Sequence, residues 1–111
     1  MMHFMFRWRL APSAIGKLVA SPQNRRQPAA ALIEGHGGRM HQYFFTFTDD
    51  ECSGFAITEM PDGDHAAALC MAAMATGGFD SFTMTRCWTP EEAERLMQEA
   101  QKSKNYRPPG S

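Results

Sequence analysis

An apolar set of residues alternates with a mixed, charged set at the start of the chain. From Met2 to Leu10, Phe4, Phe6, Trp8 and Leu10 share one parity, and His3, Met5, Arg7 and Arg9 share the other. That period of two marks a strand with an apolar face and a mixed, charged face. Ala11-Pro12-Ser13 ends it, with Ser13 placed to cap a short helix that carries Ile15, Leu18 and Val19 at helical spacing. Ser21-Pro22 interrupts that helix. A polar bridge from Gln23 to Gln27 then leads to Pro28, which suits the first turn of a second helical piece through Ile33. The cluster Gly35-His36-Gly37-Gly38 terminates the piece, because glycine accepts a left-handed helix end.

Arg39 to Thr48 reads as a second strand. Alternation gives Met40 and Phe44 to one of its faces and Tyr43, Phe45 and Phe47 to the other. Asp49 to Ser53 forms a turn, and Gly54 to Met60 is a third strand. Asp62 or Asp64 then caps an alanine-rich helix that ends at Gly77-Gly78. Its many small residues favour close approach to a sheet. Phe79 to Trp88 reads as a fourth strand, and Thr89-Pro90-Glu91-Glu92 is a capping box with proline at the first helical position. Ala93, Leu96, Met97 and Ala100 give this last helix its apolar stripe, and Asn105 to Ser111 is a tail. One domain over residues 1–104, followed by a tail over 105–111, is the expected organisation.

The order strand, helix, strand, strand, helix, strand, with a C-terminal helix, fits an α+β fold. Right-handed crossovers make it a ferredoxin-like sandwich: a four-stranded antiparallel sheet, helices on one face, the first and third strands central, the second at an edge. Helices then cover one side only, yet both faces of the strands carry apolar residues. A twofold homodimer that packs sheet on sheet, in the manner of a dimeric α/β barrel, would bury the open face and enclose a cavity.

Composition narrows the function without naming it. The chain has 111 residues, 43% of them hydrophobic, enough for one modest core. Its net charge of −1 gives no broad attraction to nucleic acid or to an anionic membrane. Three cysteines without C-x-x-C spacing point to free thiols in a reducing, cytoplasmic setting rather than to disulfides or zinc. Arg7 and Arg9 interrupt the apolar N-terminus before a signal-peptide core forms, and no apolar run reaches the roughly 20 residues of a membrane helix. The nine methionines read as core filler, with an apolar pocket lining as the alternative.

Arg7 and Arg9 are the leading candidates for chemistry. Alternation places both, with Met5, on one face of a central strand, where unpaired buried charge would be costly. Guanidinium forks suit carboxylates and phosphates. An anion site in the cavity between sheets, assisted by Thr83 or Thr85 on the neighbouring strand, is one reading. Pairing with Glu59 on the third strand, or with a partner subunit, is the other. His41 and Tyr43, two apart, would share a strand face as an acid/base pair or form a polar edge-strand rim. No two of His3, His36, His41 and His65 stand at ligand spacing, and His3 and His41 fall on non-neighbouring strands, so no metal site is expected. Asp49, Asp50 and Glu51 read as a solvated turn, Cys87 as a buried structural thiol beside Arg86, and Trp8 and Trp88 as partners in the core, with closure of one end of a pocket as the alternative. The chain contains no dinucleotide, Walker-type or nucleophile-elbow motif, and no cofactor is expected.

Several stretches together resemble the GYD domain family: Gly37 to Met40 leading into Tyr43-Phe44-Phe45-Thr46-Phe47, and Glu59-Met60-Pro61-Asp62 with its alanine helix. The likeness continues through Thr83 to Glu92 and the Tyr106-Arg107-Pro108-Pro109-Gly110 tail. The turn from Thr48 to Gly54 departs from it, being longer and keeping only the acidic character of the signature that names the family. The resemblance implies a ferredoxin-like fold of this size and dimerisation; it supplies no catalytic residues. The expected function is a small dimeric ligand-binding or accessory protein whose inter-sheet cavity takes a small, partly apolar anion. A cofactor-independent monooxygenase, isomerase or cyclase using Arg7, Arg9, His41 and Tyr43 is one alternative by fold analogy, and a structural interaction module is another.

Overall fold

The computed structural model describes residues 1–48 and 52–111; the acidic turn residues Asp49, Asp50 and Glu51 lie outside them. The elements run β1 (Met2–Leu10), α1 (Pro12–Ala20), α2 (Arg26–Gly35), β2 (Arg39–Phe45), β3 (Gly54–Met60), α3 (Gly63–Ala75), β4 (Phe79–Cys87) and α4 (Pro90–Ala100), followed by a short 3-10 turn at Gln101–Ser103. The strands form one antiparallel sheet in the order β2-β3-β1-β4, so β1 and β3 are central and the ferredoxin-like layout is the one expected from the element order.

Local chemistry explains most boundaries. Asp62 caps α3 by accepting from the His65 N–H at 2.8 Å. Thr89 and Glu92 close the expected capping box on α4: Glu92 N–H donates to Thr89 Oγ1 at 3.1 Å and Thr89 N–H donates to Glu92 Oε1 at 2.9 Å. Gly37, at φ 82°, takes the left-handed turn between α2 and β2. Ser13 is not a cap. Pro12 itself takes the first position of α1, where its missing N–H leaves nothing unsatisfied, and Ala11 becomes the N-cap residue.

The core lies between the sheet and the helices. Phe4, Phe6 and Trp8 of β1 pack with Ala56 and Met60 of β3, Ile33 of α2, and Ala66 and Leu69 of α3. Thr58, fully buried among them, donates its hydroxyl to the Phe4 carbonyl at 2.9 Å, which satisfies the polar group that burial would otherwise penalise. Trp8 stacks on Tyr43 at 5.3 Å and on Phe82 at 5.7 Å. Trp88 is no part of this cluster. The antiparallel register opposes Trp8 to Phe82 and ends β4 at Cys87, so the second indole lies at the far end of the sheet, half-exposed, with the Arg86 guanidinium 4.9 Å above it.

One irregularity redirects the edge strand. The β2–β3 register pairs Met40 with Thr58 and Gln42 with Ile57, leaving His41 as the extra residue of a bulge. Met40 therefore joins Tyr43 on the helix side, against the alternation expected for it, while Phe44 stays on the open side opposite Phe55 at 5.5 Å.

Two apolar surfaces remain uncovered. The helices α1 to α3 all lie on the Phe6 and Trp8 side of the sheet, lining one cleft with those residues. Helix α4 buries none of its residues and leaves Leu96 and Met97 exposed. The chain is correspondingly elongated: its radius of gyration is 17.6 Å, against about 13 Å for a compact domain of this length.

Candidate functional site

The open face of the sheet gathers most of the residues singled out by sequence. From β1 come His3, Met5, Arg7 and Arg9, and from β4 their ladder partners Cys87, Thr85, Thr83 and Ser81. From β3 come Phe55, Ile57 and Glu59, opposite Arg7, Met5 and His3. Met5, Arg7, Thr83 and Thr85 thus form one contiguous patch, as expected. Thr83 leans back onto the strand beside it, its hydroxyl 3.5 Å from the Arg7 carbonyl. Glu59 belongs elsewhere. It stands opposite His3, four residues from Arg7 along β1, so the register places it with the histidines rather than with the arginine.

Glu59 is the centre of a second cluster. His3 Nε2 lies 3.4 Å from its Oε1, and His41 Nε2 lies 3.4 Å from its Oε2. The two imidazoles flank the carboxylate with centroids 6.3 Å apart and planes 25° from parallel. Strands β1 and β2 are not neighbours, but β3 between them carries the residue that both histidines reach. The bulge makes this meeting possible by turning His41 onto the open face. It also separates His41 from Tyr43, which stacks on Trp8 beneath the sheet. The two do not form the acid/base pair that their spacing suggested.

Near the hairpin end of the face, Cys52 lies beside Arg7. Burial alone would raise its thiol pKa, but hydrogen bonds from Thr46 and Arg7 and the Arg7 charge outweigh that and hold it below the ordinary value. Cys87 is half-buried at the other end of the face, less enclosed than a structural thiol would be.

A feature that sequence reasoning missed lies under the helices. A cleft of about 390 Å³ opens between sheet and helix layer, walled by Phe6, Trp8, Tyr43 and Phe82 from the strands and by Leu18, Leu32 and Leu69 from α1, α2 and α3. The signal for it was the run of small residues: Ala14, Ala29, Ala72 and Ala73 face the cleft and cannot fill it. Burial raises the pKa of Tyr43 here, with the charges of Arg25 and Arg26 opposing, so its phenol stays protonated and can donate a hydrogen bond at neutral pH. A wider groove of about 570 Å³ runs between α1 and the hairpin, with Arg9 and Cys52 on its rim.

No helix is long and apolar enough to cross a membrane among the described residues. The family model of the GYD domain matches residues 4–97, most of the chain, and the protein belongs to that family. A search of the curated proteins found no match.

Proposed function

We propose that this GYD-domain protein is a small homodimeric binding or accessory protein in which two sheets close face to face around a small, partly apolar anion. The observation that supports this reading is the composition of the open face. Met5, Phe55 and Ile57 supply apolar surface at its centre, Arg7 and Arg9 supply cations, and the hydroxyls of Thr83 and Thr85 line the same patch. Apolar area of this kind on a free sheet is the ordinary mark of an interface or binding surface. Arginine on such a surface suits carboxylate or phosphate oxygens. The apolar stripe of α4 is a second surface that a partner copy would cover.

Light scattering on the eluting protein should give about twice the chain mass of 12.4 kDa, and Ile57→Glu, which places a charge mid-face, should return it to the monomer. Native mass spectrometry should then show a small acidic molecule that leaves in the Arg7→Ala, Arg9→Ala double variant. A monomeric wild type, or a dimer indifferent to Ile57→Glu, would overturn the reading. The enzymatic alternative loses its acid/base pair with the separation of His41 from Tyr43. The cleft beneath the helices supports a second location for an apolar ligand, and there Trp8 fluorescence would report binding that Arg7→Ala leaves intact.

A further inference from the structure

We infer that His3, Glu59 and His41 form a binding site for a divalent first-row transition-metal ion, of the kind zinc represents. The site would function in a monomer and does not rest on the dimeric reading. Two neutral imidazoles and one carboxylate are a sufficient protein donor set for such an ion, which then completes its shell with water or an exogenous ligand. The three donor atoms lie within 4.8 Å of one another on the open face of the sheet.

The distances leave room for a shared ion between the three side chains. Both Nε2 atoms stand 3.4 Å from a Glu59 oxygen, beyond the roughly 2.7–3.2 Å of a good N–H···O bond. Donors bound tetrahedrally at about 2.0–2.1 Å are separated by about 3.3 Å, so each imidazole already stands at that spacing from one carboxylate oxygen, and a small inward rotation would bring all three donors, now within 4.8 Å of one another, onto one ion. The donors also sit on three successive strands, a rigid scaffold in which only His41 needs special placement. The bulge supplies that placement, and bulges characteristically re-aim one side chain near functional sites. Two features limit affinity. Among the described residues His3 Nδ1 is buried without a hydrogen-bond partner, so the ring lacks the outer support that usually strengthens a metal-bound histidine. Arg39 lies opposite Glu59 in the ladder and brings a cation nearby. Micromolar binding is the expectation, since losing outer support of this kind costs about 10–100-fold.

The test is titration of the tag-free, full-length protein with Zn²⁺ by calorimetry and with Co²⁺ by visible absorption. One ion per chain should bind. His41→Ala, on the exposed edge strand, and Glu59→Gln should each weaken binding at least tenfold, while His36→Ala and His65→Ala leave it unchanged. In the wild type, Co²⁺ should shift the ring-proton resonances of His3 and His41 together, a readout that needs no variant to fold. Absence of saturable binding, equal binding in His41→Ala and Glu59→Gln, or Co²⁺ shifts centred on His36 or His65 would overturn the assignment.

Discussion

Gly54→Ala is the sharpest probe of how the aromatic core is seated. Gly54 begins β3 opposite Trp8 and is buried. A Cβ added there would come within 2.6–2.7 Å of three atoms of the Trp8 indole, against about 3.5–4.0 Å for relaxed carbon contacts. The ring must therefore withdraw by about 1 Å. It has little room, being held between Tyr43 at 5.3 Å and Phe82 at 5.7 Å and only 5% exposed. Overpacking of this order costs about 1–3 kcal/mol. Because the φ of Gly54 is not positive, alanine also restricts the unfolded chain, which returns about 0.5 kcal/mol. The expected net loss is about 1.5 kcal/mol, or roughly 6 °C in Tm for a chain of this size. Urea unfolding followed by far-ultraviolet circular dichroism measures it. Trp8→Phe removes the clashing ring atoms, so the double variant should be more stable than the sum of the single effects predicts, by about 1 kcal/mol or more. A Gly54→Ala protein as stable as wild type, or additive effects in the double variant, would show that Trp8 does not cover Gly54.

Thr58→Val keeps the buried shape but removes the hydroxyl that donates to Phe4 at 2.9 Å, and should cost about 1 kcal/mol by urea denaturation. Asp62 has its pKa lowered by the His65 N–H and then by the His65 ring. Its stabilising contribution is thus complete above the unfolded carboxylate value, near pH 4, and is lost as pH falls through the lower folded value. Asp62→Asn, which can still cap, should flatten that acid limb when urea midpoints are compared between pH 5 and pH 2.5. Cys52 should alkylate with a pH midpoint below the ordinary thiol range, whereas burial raises that of Cys70; Arg7→Ala should move the Cys52 midpoint upward, and an unmoved midpoint would remove Arg7 as its cause. Thr89→Ala should speed amide exchange across α4 while leaving global unfolding little changed, because α4 buries none of its residues.

Where a boundary depends on a few adjacent residues, the sequence told it well, the Ser13 cap excepted. The capping box at Thr89 and Glu92, the N-cap at Asp62 and the glycine turn after α2 all act within one helical turn, so their chemistry is visible in a short window. The strand order followed from element order and handedness alone. Trp88 was misplaced because pairing two tryptophans required a register, and the register comes from the whole β1–β4 ladder. The helix-side cleft escaped for a related reason: alanine runs announce close packing, but whether helices close over the sheet depends on where α1 and α2 come to rest.

The candidate site shows the same limit more strongly. Sequence placed Arg7, Arg9 and Met5 on one face correctly, since within a strand parity is enough. It kept His3 and His41 apart by a sound rule, that they occupy strands that do not pair. Two further facts reverse the consequence of that rule. The ladder sets Glu59 beside His3, and a single bulged residue turns His41 over to meet both. A bulge costs one count in the alternation, so everything before it changes face relative to everything after it. In this strand that one slip moves Met40 into the core beside Tyr43 and sends His41 the other way. Without it, His41 and Tyr43 would share a face, and Glu59 would have one histidine beside it instead of two. Deleting His41 should therefore make Met40–Thr58 and Gln42–Ile57 consecutive pairs, removing the three-donor cluster while keeping Met40 and Tyr43 on the core side; His41→Ala removes the same donor and leaves the bulge in place. Loss of Co²⁺ absorption in both variants, with the urea midpoint kept by the deletion, would show that the bulge serves His41 and not the core; a deletion that strips Met40 or Tyr43 from the core would refute the register.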